Sequence, residues 1–423
     1  MCNILIIALC GLIFINVPIA LSMGAASFLA IGFGSNLPIF VAAQRIFNGM
    51  DSFVLLAIPL FMIAGRLMEV GGISKRLIDL AMSMIGRVYG GLGMAAVVAC
   101  MFFAAISGSG PATVAAIGSI MLPYMIKEGY DKTFAAALLA SAGIIGMIIP
   151  PSIPFVTYGV VMSTSIGDLF IAGILPGILL GCSLMLLCYF HSRKKGYRGS
   201  QPASVKRFLQ SLKSAFWGLL MPVIILGGIY GGFFTPTEAA GVSCVYSIIV
   251  GKFIYKELTY KGIFDCFWQA GILSAMVMLI IGAATAMGWI LTAEQMPQKI
   301  VVAISSVIHS RWLLLCLLNI ILLVTGCFME PNAAIIILGP VFFTLLQAFD
   351  INLLHFGVVM VVNLSIGTLT PPLGACLFVG KSLDSEITFN NLVRQAIPMI
   401  LLLIVDLFIL TYIPAISLVL LGK

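Results

Sequence analysis

Ionisable side chains are scarce in this chain. Of its 423 residues, Asp, Glu, Lys and Arg together make up 9%, and there are 3 histidines. A soluble domain carries roughly 25% charge, because its surface must face water. The length alone would suggest about three soluble domains, but there is not enough charge to coat them. The ten cysteines are scattered without a CxxC pair, so a zinc site or a redox motif has no support. They read instead as small apolar residues. No GxSxG, no HExxH and no paired set of aspartates occurs, which leaves an intramembrane enzyme without a nucleophile, base or metal cluster. A soluble enzyme, a nucleic-acid binder and a disordered scaffold are all excluded. The net charge of +7 is no nucleic-acid footprint, since in a membrane protein basic residues set topology.

Apolar residues, by contrast, are everywhere: the set AVILMFWYC takes 61% of the chain. The apolar segments are 3–16, 18–35, 51–67, 92–126, 133–163, 168–190, 216–234, 236–256, 270–292, 312–347, 353–380 and 396–420. They far exceed the roughly 10 residues of a barrel strand, so an all-α polytopic membrane protein is expected. Residues 1–16 lack a basic leader and a small-residue cleavage site, and are expected to be a retained first helix. Segments 92–126 and 312–347 are too long for one span of about 20 residues. Each is interrupted near its middle, at Ser107-Gly108-Ser109-Gly110-Pro111 and at Glu330-Pro331-Asn332. Both are expected to be re-entrant helical hairpins, with legs of about 15 residues that reach the midplane. Segments 133–163 and 353–380 are broken by Pro150-Pro151 and Pro371-Pro372. A double proline removes two backbone donors, so these spans should be discontinuous helices. Short amphipathic stretches at 74–84, 206–216 and 259–268 are expected to lie in the interface plane.

The basic residues test this layout. If the linker 191–215, with Arg193, Lys194, Lys195, Arg198, Lys206, Arg207 and Lys213, is cytoplasmic, the first hairpin has both ends inside, flanked by Arg87, Lys127 and Lys132. The second hairpin then has both ends outside. Ten full crossings put both termini outside. Only Arg45, Lys299, Arg311 and Lys423 of the 22 Lys and Arg then lie outside, the bias expected of inward-facing loops. The breaks also repeat. Pro18, Pro111 and Pro151 are matched in spacing by Pro236, Pro331 and Pro372, and Ile145–Pro151 resembles Ile366–Pro372. Five crossings separate Pro18 from Pro236, an odd number, so the halves 1–190 and 216–423 are expected to be inverted repeats. Paired interrupted segments mark the binding site of a secondary transporter.

Backbone that leaves the helix at membrane depth persists only where it is buried or lines a cavity. Its freed carbonyls, together with hydroxyls, suit a small monovalent cation. One cation site is expected from Ser107 and Ser109 opposite Gly146 and Ile149. A second is expected from Asn332 and Thr370 with Gly326 and Gly367. The half-helix N-termini at Pro111 and Asn332 would turn positive dipole ends toward an anion. Candidate substrate contacts around these breaks are Pro111, Thr113, Pro151, Ser152, Glu330 and Asn332. The acids deep in apolar segments are Glu238, Glu330 and Asp406, and such groups fall under functional suspicion. Glu238 follows Thr235-Pro236-Thr237 and reads as a helix cap. Asp406 reads as one half of a structural hydrogen bond. Glu330, at a hairpin tip, is the functional candidate.

At this point a family resemblance enters. Ser107-Gly108-Ser109-Gly110-Pro111-Ala112, Ile149-Pro150-Pro151-Ser152, Pro236-Thr237-Glu238-Ala239-Ala240 and Thr370-Pro371-Pro372-Leu373-Gly374 resemble the large membrane subunit of tripartite ATP-independent periplasmic (TRAP) transporters, the DctM type, over essentially the whole chain. The resemblance implies Na⁺-coupled uptake of an organic acid, such as sialic acid or a C4-dicarboxylate, by an elevator motion. It also implies a small four-helix membrane subunit and a periplasmic substrate-binding protein as partners, with the small subunit a separate polypeptide. Glu330 stands where the family more often has Asp. Segments 92–163 and 312–380 are expected to form the moving body and the remainder the scaffold. The alternative is a self-sufficient Na⁺/carboxylate symporter that needs no binding protein.

Overall fold

The computed structural model describes residues 1–85, 88–198 and 204–422. Arg87 and Lys423 of the charge argument lie outside the described residues, as do linker positions 199–203. Among the described residues the regular structure is helical, apart from one isolated bridge between Tyr89 and Arg198. The first half runs α1 (Cys2–Phe14), α2 (Ile19–Gly34), α3 (Phe40–Met50), α4 (Ala57–Val70) and α5 (Ile73–Met84). The hairpin of α6 (Gly91–Ser107) and α7 (Gly110–Lys127) follows, then α8 (Lys132–Gly143), α9 (Ile153–Val161) and α10 (Ile166–Lys195). The second half runs α11 (Val205–Tyr230), α12 (Pro236–Ile249), α13 (Tyr260–Ala293) and α14 (Met296–Ser305). The hairpin of α15 (Arg311–Phe328) and α16 (Pro331–Ala348) comes next, then α17 (Leu353–Gly367), α18 (Ala375–Ser382), α19 (Phe389–Tyr412) and a last turn, α20 (Ala415–Leu418).

The two halves reproduce each other's packing. α2 lies on α13 as α12 lies on α4, and α6 lies on α8 as α15 lies on α17. α8 meets α19 as α17 meets α10, and α10 meets α19 across the axis that relates the repeats. At the centre the repeats exchange elements: α7 packs on α18 of the other half, and α16 packs on α9. α8 is buried at every residue from Phe134 to Gly143, and α17 at every residue from His355 to Gly367. A helix apolar all round is a core helix, and this related pair forms the centre of the molecule. α6 fits against its neighbours through small residues (Gly91, Gly93, Ala95, Ala96, Ala99), which let helix backbones approach closely where lipid provides no hydrophobic drive.

Several expectations are refined. The hairpin legs have 17 or 18 residues, longer than the 15 or so expected. At 1.5 Å per residue they approach the thickness of the hydrocarbon core. Among the described residues eight helices, including both legs of the second hairpin, are long and apolar enough to cross a membrane by length and composition. Length alone therefore does not separate a hairpin from two spans; the two-residue reversals and the exchanged packing do. The stretches 206–216 and 259–268 are not separate interface arms but the first turns of α11 and α13. An apolar continuation lets a helix propagate at little cost once nucleated. The arm expected at 74–84 is a separate helix, α5, held by Arg76: its Nη1 lies 2.7 Å from Glu257 Oε1, and its guanidinium sits over Tyr255. α14, the counterpart of α5 in the second half, was not anticipated, and neither was α3.

Glu238 does cap α12. Its Oε2 accepts from Thr235 N at 2.8 Å, and Thr235 Oγ1 accepts from Glu238 N at 3.3 Å. The reciprocal pair satisfies two donors that a helix start leaves open. Asp406 is 3% exposed and accepts a hydrogen bond from Ser183 Oγ at 3.0 Å, joining α19 to α10. Ser183→Ala is expected to lower stability by about 1–3 kcal/mol, because it strips the hydroxyl donor from a buried carboxyl group. Asp406→Asn keeps size and hydrogen bonding and should lose less. Thermal unfolding in detergent reads both; equal losses would make the contact one of packing alone.

Candidate functional site

Each break is made by local chemistry and then pressed against another break. At the first tip α6 ends at Gly108, whose φ of 62° is the left-handed conformation that glycine tolerates. Ser109 is extended, and Pro111 opens α7, where its missing N–H is not needed. The tip lies on the first proline break: Ile153 N donates to Gly108 O at 3.4 Å, and a side chain at Gly108 would reach within 2.9 Å of Pro151 O. Three oxygens gather there. Ser107 Oγ and Thr113 Oγ1 are 2.8 Å apart, Thr113 Oγ1 donates to Ser109 O at 2.8 Å, and Ser107 Oγ stands 3.4 Å from the same carbonyl. Gly146 closes the group. A Cβ there would lie 2.3 Å from Thr113 Oγ1 and 2.7 Å from Ser109 O.

Ser107, Gly146 and the Ser109 carbonyl are thus brought together, and Thr113, expected at the substrate, joins them. Ile149 packs its side chain against Gly177 of α10. Pro151 and Ser152 are buried behind the tip, and Ser152 Oγ donates to Met147 O at 2.5 Å.

The second tip is built differently. Glu330 caps α16, its Oε2 accepting from Ala333 N at 3.1 Å and its Oε1 from Asn332 Nδ2 at 2.5 Å. Asn332 Oδ1 in turn accepts from Thr157 Oγ1 of α9 at 2.9 Å. Asn332 therefore faces the first repeat's broken helix. Gly326 is pressed on Gly367, where α15 crosses α17 backbone to backbone: a Cβ at Gly367 would lie 2.5 Å from Gly326 Cα. Thr370 Oγ1 donates to Ile366 O at 2.9 Å, at the end of α17.

The four half-helix N-termini fall into two kinds. Those of α9 and α16 carry side-chain caps, Ser152 and Glu330. Those of α7 and α18 carry none. The uncapped pair meets: a Cβ at Gly110 would stand 3.1 Å from Cys376 Sγ. Helix N-termini with open N–H groups attract anions, so the dipole end that remains available on a hairpin is that of α7 and not that of α16.

Sequence reasoning missed Thr157. It also missed a buried amide network in the second half. Asn363 Nδ2 donates to Asn319 Oδ1 at 2.8 Å, Asn319 Nδ2 to Thr411 Oγ1 at 2.9 Å, and His355 Nε2 lies 3.1 Å from Thr411 O. The available signal was asparagine in the middle of apolar segments, which attention to ionisable groups alone passed over. Among the described residues no three His, Cys, Asp or Glu side chains converge as a metal cluster would. The donor set is one of hydroxyls, amides and carbonyls, the hard neutral oxygens that suit a monovalent cation better than a transition metal. At the end of α9 away from the break, a cleft of about 580 Å³ separates Ser163, Thr164 and Ser165 from Ser52, Phe234 and Pro236.

The family model described as the tripartite ATP-independent periplasmic transporter, DctM component, matches residues 6–416. The chain is 45% identical over 403 residues to the isethionate TRAP transporter permease protein DctMQ of Oleidesulfovibrio alaskensis, covering 95% of this chain and 63% of that protein. It thus spans a little under two thirds of that relative's length. It is 45% identical over 378 residues to the C4-dicarboxylate TRAP transporter large permease protein DctM of Pseudomonas aeruginosa, covering 89% and 88%. It is 38% identical over 410 residues to the sialic acid TRAP transporter large permease protein SiaM of Vibrio cholerae, covering 97% and 96%. Among solved structures, the Alcanivorax borkumensis YdaH transporter shares the fold at a TM-score of 0.59 and 13% identity, over 92% of this chain and 90% of that one.

Proposed function

Because the chain belongs to the DctM-component family of tripartite ATP-independent periplasmic transporters and is a large permease of that type, we propose that it carries a small organic anion across the bacterial inner membrane together with Na⁺. The observation that carries the reading is the oxygen cluster of Ser107, Thr113 and the Ser109 carbonyl, sealed by Gly146 at the meeting of a hairpin tip and a helix break. The second ion pocket is the corresponding place in the other repeat, between the ends of α15 and α17, with Thr370 supplying a hydroxyl. The anion sits at the uncapped N-terminus of α7. The relatives named above are a permease for isethionate, one for C4-dicarboxylates and one for sialic acid, and what these compounds share is an oxyanion head group.

The body comprises 92–163 and 312–380, and it moves as a unit against the scaffold. Unequal contacts support this. α4 touches α6 and α9, whereas its counterpart α13 touches α16. Exchanging the two sets of contacts between pseudo-symmetric halves would turn the site to the other face of the membrane. A small four-helix subunit and a periplasmic binding protein complete the transporter. The self-sufficient symporter remains the second reading, supported by the many contacts that the two repeats make with each other alone.

Uptake into proteoliposomes tests both points. Ser107→Ala and Thr113→Val are each expected to raise the Na⁺ concentration for half-maximal uptake about tenfold, equivalent to ~1.4 kcal/mol. Ser109→Ala keeps its carbonyl and should change little. Na⁺-independent uptake by the unaltered transporter would overturn the coupling. Uptake by this chain alone, without small subunit or binding protein, would favour the second reading.

A further inference from the structure

We propose that Thr157 is a positioning residue that latches the second hairpin tip onto α9 and so makes the two ion pockets close together; this rests on the Na⁺-coupled reading above. Thr157 touches neither proposed ion pocket. It acts through Asn332, and the chain of contacts has a fixed direction. Asn332 Nδ2 donates to Glu330 Oε1 at 2.5 Å, and Asn332 Oδ1 accepts from Thr157 Oγ1 at 2.9 Å. Turning the amide over would set its oxygen against the carboxylate, so the carboxylate defines one orientation, and Thr157 Oγ1, which also lies 3.2 Å from Ile153 O, makes its shorter contact to the amide oxygen. Asn332 is 6% exposed and Thr157 fully buried. A buried amide that loses a partner is left unsatisfied, which is what makes such a contact discriminate between docked and undocked tips.

The location gives the latch its consequence. Thr157 stands on α9, whose first residue, Ile153, donates from its backbone to Gly108 at the first tip. One short helix therefore holds the first tip by its N-terminal end and the second tip by its middle. Closure of one tip fixes α9, and a fixed α9 presents the hydroxyl that the other tip needs. The device is built once only. Counted from the matching prolines, the residues that correspond to Glu330, Asn332 and Thr157 are Gly110, Ala112 and Phe378, none of which can make this chain of bonds. The second tip is thus the one that can be released by losing a side-chain contact, while the first is held through backbone.

The experiment uses the assembled transporter in proteoliposomes, with Thr157→Val, which keeps shape and removes the hydroxyl, and Thr157→Ser, which keeps the hydroxyl. For Thr157→Val the half-saturating Na⁺ is expected to rise about tenfold and the Na⁺ dependence to lose its steepness. Maximal uptake at saturating Na⁺ should stay within about twofold, and Thr157→Ser should restore the unaltered behaviour. A second readout needs no transport. Cys327 lies in the last turn of α15 beside the tip and is partly exposed. Its rate of maleimide labelling, followed by peptide mass spectrometry, should rise several-fold in Thr157→Val and return to normal in Thr157→Ser. Unchanged labelling of Cys327 overturns the latch. So does a variant that lowers maximal uptake while leaving half-saturation and steepness as they were. If Thr157→Val does not assemble, the same labelling on Asn332→Ala decides, since it removes the other half of the bond. Unaltered protein that transports without Na⁺ would instead remove the parent reading, and the labelling result would still report on the latch.

Discussion

Replacing Gly367 by alanine is expected to abolish uptake. The added methyl would lie 2.5 Å from both Cα and the carbonyl carbon of Gly326 and 2.9 Å from its oxygen. These are backbone atoms in a tightly packed crossing, so no flexible side chain can swing away. Forcing an extra carbon into such a site displaces the helices and costs about 1–3 kcal/mol or more. Here the displacement falls where α15 and α17 both end, which is where the second ion pocket is proposed. Gly326→Ala should be milder, because its nearest contact would be 3.0 Å. Gly11→Ala serves as the control: a Cβ there meets nothing within 4 Å, and alanine favours a helix more than glycine does. Uptake assays and thermal unfolding give the order. Near-normal uptake by Gly367→Ala would mean that the close crossing has no part in transport.

The second large effect concerns distance. Spin labels at Tyr124 on α7 and Lys261 at the start of α13 are expected to separate by different amounts with and without Na⁺ and substrate, the change exceeding one helical pitch of about 5 Å. Both residues are exposed and suited to labelling, in a background lacking the exposed thiols Cys10 and Cys182. The physical reason lies in the tips. Their oxygens must surround the ion throughout the crossing, because an ion exposed to lipid is strongly disfavoured. Carrying the whole enclosure across avoids that exposure. A control pair within the proposed body, Tyr124 and the exposed Phe378 on α18, should keep its distance. A fixed Tyr124–Lys261 distance with a changing Tyr124–Phe378 distance would redraw the moving body.

Much of the architecture is legible in the sequence. Pro111, Pro151, Pro331 and Pro372 interrupt helices by their own chemistry, since the missing N–H and the ring act on the residues beside them. The capping of α12 by Glu238 was readable for the same reason, both partners lying within one turn. Where local signals ran out, boundaries slipped. Nothing in 206–216 says whether an amphipathic turn stands apart or continues into the span beyond it, and here it continues.

What the sequence by itself determined is therefore the number of breaks and their pairing between the two halves. What only the tertiary structure decided is which groups from distant segments meet. At the first tip the meeting is local: Thr113 Oγ1 bonds to Ser109 O four residues back, as Ser and Thr in apolar helices commonly do, and Ser107 Oγ stands 3.4 Å from the same carbonyl across the two-residue turn. Packing adds Gly146, which closes the group. Asn332 could have faced Gly367 as readily as Thr157. It meets Thr157 because α16 crosses onto α9 of the other repeat, a choice settled by side-chain fit between segments 175 residues apart. Such fit depends on many weak contacts summed over whole helices, and no short stretch of sequence records that sum.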